Sequence, residues 1–208
     1  MVEAPKPTDD RGGENRTASS TMATDEQLIL DFQKGSQEAF TELFLRYREL
    51  IYAFFRRRMS DPARPEELAQ ETFLAVLRGV QRYEPRATFR TYLFAIAFKI
   101  LANDRRKAGQ NANGAAPRTE VAVPPARGDS EADLWVREAI GKLDSTDREV
   151  LLLREYEELS YEEIAGVLRV PINTVRSRLF RARMALKEIL VSVPGKSARK
   201  ENALDTSV

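Results

Sequence analysis

Large apolar side chains recur at intervals of three and four residues along the first half of the chain, from position 25 to position 107. This spacing places them on one face of successive amphipathic helices that share a core. Residues that end helices interrupt the pattern at Gly35, at Asp61 and Pro62, and at Pro85. The pattern therefore predicts a domain of about four helices over residues 25–107.

A second helical pattern begins after Ser130 and predicts a smaller domain over residues 131–192. Residues 108–130 are rich in Ala, Gly, Asn and Pro and show no periodicity, which is typical of a flexible linker. Residues 1–24 and 193–208 have few large apolar side chains, and we expect both to be disordered. Met1 and Met22 are alternative starts, because the regular pattern begins just after Met22. The predicted fold is all-α, with two small helical domains joined by a flexible linker.

Residues 159–179 carry the most specific local signal in the second domain. Ser160 and Glu163 have the spacing of a capping box, in which two side chains bind the free amides at a helix start. Arg169, Val170 and Pro171 then predict a tight turn, and proline is tolerated at the opening of the next helix. A short helix, a tight turn and a second helix together predict a helix-turn-helix.

The charges are segregated along the chain, although 33 Lys and Arg nearly balance 32 Asp and Glu. Residues 164–187 hold six basic residues and no acid, whereas residues 142–163 hold eight acids and three basic residues. At about 100° per residue, the polar face of the second helix carries Asn173, Arg176, Ser177, Phe180, Arg181 and Met184. A basic face on a helix-turn-helix predicts binding in the DNA major groove. The alternative is a solvated basic surface.

The chain contains no Cys and no His, which excludes a thiolate nucleophile, an imidazole base and a Cys/His zinc site. It also lacks a glycine-rich phosphate loop. We therefore expect a protein that is not an enzyme and that uses no cofactor, no metal and no small-molecule substrate. No apolar run approaches about 18 residues, and the N-terminus lacks the order of a signal peptide, so we expect a cytoplasmic location.

Three segments together resemble extracytoplasmic-function (ECF) sigma factors, which belong to the sigma-70 family of bacterial RNA polymerase. The run at 159–183 begins Leu-Ser-Tyr-Glu-Glu-Ile-Ala and ends Thr-Val-Arg-Ser-Arg-Leu-Phe-Arg-Ala-Arg, which closely resembles their region 4. The run Glu-Glu-Leu-Ala-Gln-Glu-Thr-Phe-Leu at 66–74 resembles region 2.2, and Phe-Arg-Thr-Tyr-Leu-Phe-Ala-Ile-Ala at 89–97 resembles region 2.3. The resemblance covers about residues 25–107 and 131–191.

The resemblance implies a promoter-specificity subunit that binds core RNA polymerase, recognises the −35 and −10 promoter elements and helps to melt the −10 region. Region 2 would dock on the clamp helices of the β′ subunit, and region 4 would hold the β flap. The family also implies an anti-sigma factor as a partner, often one that is membrane-tethered.

The family's functional positions fall on three groups of residues in this sequence. The core-polymerase-binding helix carries Glu66, Glu67, Gln70 and Glu71, with Phe73 and Leu74 expected mostly in the core. The −10 positions are Arg86, Thr88, Phe89, Arg90, Tyr92, Lys99 and Arg106. The −35 positions are Asn173, Thr174, Arg176, Ser177, Arg178, Phe180 and Arg181. Lys99 stands where the family commonly has Asn, and Arg169 and Asn173 stand where it commonly has Gly.

Two other functions are compatible with the helix-turn-helix. A regulator of the response-regulator type would bind DNA through the same motif but would not need the acidic helix at 66–71. A sigma-like regulator would occupy polymerase without starting transcription.

Overall fold

The computed structural model describes residues 23–111 and 131–192. These stretches form helices and no strand, so the predicted all-helical fold is confirmed. The helices are α1 (Asp25–Gln33), α2 (Gln37–Arg56), α3 (Arg64–Gly79), a 3-10 turn (Val80–Arg82), α4 (Phe89–Asn111), α5 (Glu131–Gly141), α6 (Ser145–Glu155), α7 (Tyr161–Leu168) and α8 (Ile172–Val191). The disorder predicted for the two termini, the two possible starts and linker residues 112–130 lie outside the described residues.

Helices α1–α4 form the N-terminal domain, in which α2 packs against α1 and α3 while α4 lies across α3. Its largest buried side chains are aromatic, and Phe54 contacts both Phe55 and Phe94 with ring centroids 5.0 and 5.8 Å apart. Thr24 caps α1 and Ser36 caps α2 by accepting bonds from backbone amides, while Gly35 supplies a positive φ of 110° between them. Helix α4 continues to Asn111, beyond the domain end that periodicity placed at residue 107.

Helices α5–α8 form the C-terminal domain, and α8 packs against α5, α6 and α7. Its core is aliphatic, with Leu153, Leu159, Ile164 and Val175 fully buried. Asp144 caps α6 by accepting bonds from the amides of the first turn. None of the helices in the described stretches is long and apolar enough to cross a bilayer.

The two domains are packed against each other, and α4 contacts α7. The buried apolar side chains of both domains form one continuous cluster. This cluster runs from the aromatic core around Phe54 to the aliphatic core around Leu153. The domain pair therefore has a defined arrangement.

Arg58, just after the end of α2, is the charged centre of this domain contact. Its side chain is 0% exposed, with Nε 2.8 Å from Glu149 Oε2 and Nη1 3.1 Å from Glu157 Oε1. The guanidinium also lies 3.9 Å from the centroid of the Phe54 ring and donates to the Phe54 carbonyl. Burial lowers the pKa of Arg58, but the two carboxylates outweigh it and raise that pKa above its ordinary value. Both carboxylates that pair with this buried charge come from the C-terminal domain.

Two glycines provide a test of helix packing. Gly166 lies within α7, where an added Cβ would meet no atom within 4 Å, so Gly166→Ala should raise the free energy of unfolding by about 0.5–1 kcal/mol. A Cβ on Gly79 would lie 2.9 Å from the Tyr92 hydroxyl. Gly79→Ala should therefore give no gain, because the half-buried Tyr92 ring must move.

Urea unfolding of the full chain measures both changes, and the double variant Gly79→Ala/Tyr92→Phe is the control. Removing the hydroxyl should restore the stability lost to the contact. Equal gains from the two single alanine variants would contradict the packing at Gly79.

Candidate nucleic-acid interface

The helix-turn-helix consists of α7, a turn at 169–171 and α8. The capping box predicted from sequence is present, because the Ser160 hydroxyl accepts from the Glu163 amide at 3.2 Å and Glu163 Oε2 accepts from the Ser160 amide at 2.8 Å. Burial by itself raises the pKa of Glu163. The hydrogen bonds from the Ser160 amide and from the hydroxyls of Thr91 and Thr88 together lower it by more, so the pKa lies below its ordinary value. The carboxylate that starts the motif is therefore held in its charged form.

The turn places Arg169 in the left-handed conformation, with φ 54° and ψ 47°. The next amide, that of Val170, donates to the carbonyl of Ala165 at 3.1 Å, which closes the end of α7. This left-handed conformation explains why the family that the sequence resembles commonly has Gly at this position, because a residue with a Cβ costs about 1 kcal/mol there. Pro171 then directs the chain into α8.

The polar face of α8 points to solvent near its start. Arg176, Ser177, Phe180 and Arg181 are all exposed, and Phe180 reaches 66% exposure. Val175, Leu179 and Ala182 occupy the opposite side and are buried. Thr174 and Arg178 are half-buried, whereas Asn173 is exposed and accepts from Arg176 Nη1 at 3.2 Å. Among the described residues, Arg176 thus bonds only to Asn173 on its own helix and is available to a ligand.

Arg181 differs from Arg176 because it is bound by a carboxylate from α6. Its Nε and Nη2 atoms lie 3.0 and 2.8 Å from the two oxygens of Asp147, a bidentate pair. Asp147 is 7% exposed, and its own amide donates to Asp144, so the acid is held in place. Arg181 therefore needs to exchange Asp147 for a base or phosphate before it can contact DNA. The sequence did not identify Asp147, which lies 34 positions away.

The loop before α4 is supported by an aromatic cluster. Phe89 is 1% exposed and packs against Tyr47, with ring centroids 5.5 Å apart, and more loosely against Tyr83 and Tyr92. Its ring faces the core, so the prediction that Phe89 contacts −10 DNA does not fit this burial. Tyr92 is half-buried, and burial raises the pKa of its phenol. The cluster orients the loop and leaves the basic side chains to face outward.

The remaining −10 positions divide into two sets. Arg86, Lys99 and Arg106 are exposed. Thr88 and Arg90 contact the C-terminal domain instead: the Thr88 hydroxyl donates to Glu163 Oε1 at 2.9 Å, and Arg90 Nη2 donates to the Glu157 carbonyl at 2.7 Å. We call these five residues the −10 surface.

The predicted polymerase-binding residues lie on one exposed face of α3. Glu66, Glu67, Gln70 and Glu71 are exposed, and Leu74 and Leu77 continue the same face with 47% and 39% exposure. The expectation that Leu74 lies mostly in the core is wrong, because its neighbour Phe73 takes the inward direction and is 6% exposed. We call this set the α3 face.

Comparison with known proteins gives the family. A model of sigma-70 region 2 matches residues 43–110, and a model of sigma-70 region 4 matches residues 133–186. The RNA polymerase sigma-H factor of Pseudomonas aeruginosa is 32% identical over 188 residues, which cover 82% of this chain and 95% of that protein. The chain belongs to the sigma-70 family as an ECF sigma factor. The ECF RNA polymerase sigma-E factor of Escherichia coli is 31% identical over 181 residues, 80% of this sigma factor and 94% of its relative.

Two solved structures resemble the sigma factor over most of its length. RpoE of Bartonella quintana, solved in complex with the anti-sigma factor NepR, matches with a TM-score of 0.63 at 26% identity, over 74% of this chain and 97% of that chain. CnrH, solved in complex with the cytosolic domain of CnrY, matches with a TM-score of 0.61 at 25% identity, over 80% and 97%. In this family the helix-turn-helix is part of region 4 and the aromatic loop is part of region 2.

The Asp147–Arg181 pair leads to a prediction about DNA binding. Asp147→Asn should free the Arg181 guanidinium for a phosphate, and the slope of log affinity against log salt should steepen by about 0.9 for one added contact. Fluorescence anisotropy with a non-specific duplex over a salt series measures this slope.

Glu138→Gln is the matched control. It removes the same charge from α5, where Glu138 pairs with Lys142 just after the end of the helix. An unchanged slope in Asp147→Asn, or the same change in the control, would contradict the role of Asp147.

Proposed function

We propose that this sigma factor binds core RNA polymerase through the α3 face and the α5–α8 groove, reads the −35 element with α8 and engages the −10 element with region 2. The exposed basic and apolar face at the start of α8, within a helix-turn-helix, is the observation that carries the proposal. Such a face supplies Arg for guanine and apolar groups for thymine methyls in the major groove.

The α3 face is suited to the clamp helices of the β′ subunit. Its carboxylates are exposed, and within this set only Glu67 has a basic neighbour, Arg64. Leu74 and Leu77 add an apolar centre beside the charged residues. An apolar centre with a charged rim is the composition expected of a protein interface.

A groove between α5 and α8 is suited to the β flap. It has a volume of about 270 Å³ and is lined by Trp135, Glu138, Ala139, Lys142, Ile189 and Leu190. Trp135 is 41% exposed in the described chain. An exposed tryptophan beside aliphatic side chains is typical of an interface anchor, so an apolar flap segment would fit here.

The −10 surface joins basic side chains to an ordered aromatic loop. Arg86, Lys99 and Arg106 are exposed and available to phosphates, and Tyr92 is half-buried. Capture of a single strand needs cations along the backbone and a site that offsets base unstacking. Lys99 donates hydrogen bonds but cannot accept them, so we infer that it contacts phosphate or base acceptors.

We also infer that an anti-sigma factor binds this chain, because CnrH and RpoE were solved with such partners or with a cytosolic domain. A membrane-tethered partner fits the proposal that the regulated protein is cytoplasmic. Co-purification from cells that express the tagged full chain tests for a stable partner.

Run-off transcription tests the function itself. Core RNA polymerase with a promoter library should give discrete transcripts only when the full chain is added. Binding to core polymerase without transcripts would indicate a sigma-like regulator, and DNA binding without core binding would indicate a simple helix-turn-helix regulator.

The exposed Arg176 gives a prediction about promoter recognition. Arg176→Ala should weaken −35 binding by about 1–3 kcal/mol for a lost bidentate base contact and should relax preference at one base pair. Competition binding against single-base variants of the selected −35 element measures both effects. The control variant is Arg137→Ala, which removes a cation from α5. An equal loss of −35 binding in this control would contradict base recognition by Arg176.

The α3 face gives a second prediction. The double reversal Glu66→Lys/Glu71→Lys should reduce affinity for core polymerase, because both acids are exposed there and have no ion-pair partner among the described residues, and it should leave −35 DNA binding unchanged. Sedimentation or co-elution with core polymerase measures the change. The matched control is Asp31→Lys/Glu38→Lys on α1 and α2, and a loss of core binding in both double variants would contradict the assignment to α3.

A further inference from the structure

Helix α1 contacts the polypeptide on both sides of the loop that precedes α4. We call residues 84–88 the −10 loop, since Arg86 and Thr88 of the −10 surface lie within it. All five of its residues are exposed and none belongs to a helix. Because its own side chains are not packed in the core, the path of the loop depends on how its two ends are held.

The first end of the −10 loop is bound by Gln33, a half-buried residue at the end of α1. Its Nε2 donates to the carbonyls of Val80 and Tyr83 at 2.6 and 2.8 Å, across 47 and 50 positions of sequence. In return, Gln81 Nε2 donates to the Gln33 carbonyl at 3.3 Å. The carbonyls that follow α3 thus find donors on α1 where helical hydrogen bonding stops.

The second end is bound by Glu26, in the first turn of α1. Its Oε1 accepts from the amide of Phe89 at 3.2 Å. Phe89 begins α4, and amides in the first turn of a helix have no partner within that helix. The neighbouring Asp25 accepts from the Tyr47 hydroxyl, and the Tyr47 ring packs against Phe89. One turn of α1 therefore holds the start of α4 both directly and through Tyr47.

Tyr83 extends the attachment into the loop itself. Its ring is 6% exposed, and its hydroxyl donates to the carbonyl of Ala87 at 3.1 Å. Burial raises the pKa of the Tyr83 phenol, and the negative charge of Glu26 raises it further, so the hydroxyl keeps its proton as a donor. A series of hydrogen bonds therefore runs from Gln33 through Tyr83 to the far side of the −10 loop.

An ordered loop is useful for capturing a single strand. A base that leaves its stack needs a site that offsets the cost of unstacking, and a loop that is already ordered loses less conformational freedom on binding. Gln33 and Glu26 spend their hydrogen bonds on the backbone at the ends of the loop. They can therefore act on a DNA strand through the loop without contacting the strand.

We propose that Gln33 and Glu26 are positioning residues for the −10 element: together they hold the −10 loop in the conformation that receives an unstacked base. Recognition of the strand rests on the proposed function, whereas the ordering of the loop by α1 is a property of the free chain.

Amide hydrogen exchange of the free full chain tests the ordering of the loop. The amides of Tyr83, Arg86 and Phe89 each donate a hydrogen bond. Gln33→Met keeps the length of the side chain but removes its donor, and exchange at these three amides should become several-fold faster. The matched control is Gln37→Met, the same replacement at an exposed position of α2. Unchanged exchange in Gln33→Met, or the same acceleration in the control, would overturn the proposal.

Strand selectivity tests the positioning role. The full chain with core RNA polymerase is titrated with a single-stranded oligonucleotide that carries the selected −10 element, and with a scrambled strand of the same length. Gln33→Met should weaken binding of the −10 strand by about two- to tenfold, the effect of one lost hydrogen-bonding group. Binding of the scrambled strand should not change, because the exposed cations of the −10 surface still contact phosphates. Equal losses on both strands, or no loss on either, would overturn the positioning role.

Two replacements of Glu26 separate its hydrogen bond from its charge. Glu26→Gln keeps an acceptor oxygen for the Phe89 amide and should retain the selectivity of the wild type, whereas Glu26→Met should lose it as Gln33→Met does. Equal losses in both Glu26 variants, with helix content by circular dichroism unchanged, would overturn the role of this bond. A wild-type protein without preference for the −10 strand would contradict the proposed function, while the exchange measurement would still decide whether α1 orders the loop.

Discussion

A single buried guanidinium, that of Arg58, constrains the relation between the two halves of this protein. An unpaired charge in that position would be costly, and its carboxylate partners Glu149 and Glu157 both come from the C-terminal domain. Acids of region 4 therefore neutralise a charge that is buried beside the aromatic core of region 2. Once these pairs fix the contact, α7 lies on α4, Thr88 bonds to Glu163 and the polar face of α8 is left facing solvent.

The charge segregation explains how one chain of net charge +1 can serve several surfaces. Acids on α3 remain exposed, whereas Asp147, Glu149 and Glu155 of α6 pair with arginines of the same molecule. Arg176 and Arg181 on α8 remain exposed, although the Arg181 guanidinium is paired with Asp147. The near balance of charge thus arises from pairing within the molecule as well as from separate exposed faces.

Features set by local spacing were predictable from the sequence. The helices, the Ser160 capping box and the turn at Pro171 depend on residues within a few positions of one another, and the structure contains them. The direction of Phe89 and Leu74 was not predictable in this way, because each lies among apolar neighbours that compete for the core. The pairing of Arg58 with Glu157 joins residues 99 positions apart, and many other carboxylates in the sequence were equally eligible partners.

Glu163 binds two helices with different atoms. Its Oε2 caps α7 through the Ser160 amide, while its Oε1 accepts from the threonines at the start of α4. The two attachments can therefore be lost independently, because loss of the threonine bonds leaves the cap at the first turn of α7 intact. The contact between the domains can thus open without loss of the helix cap that starts α7.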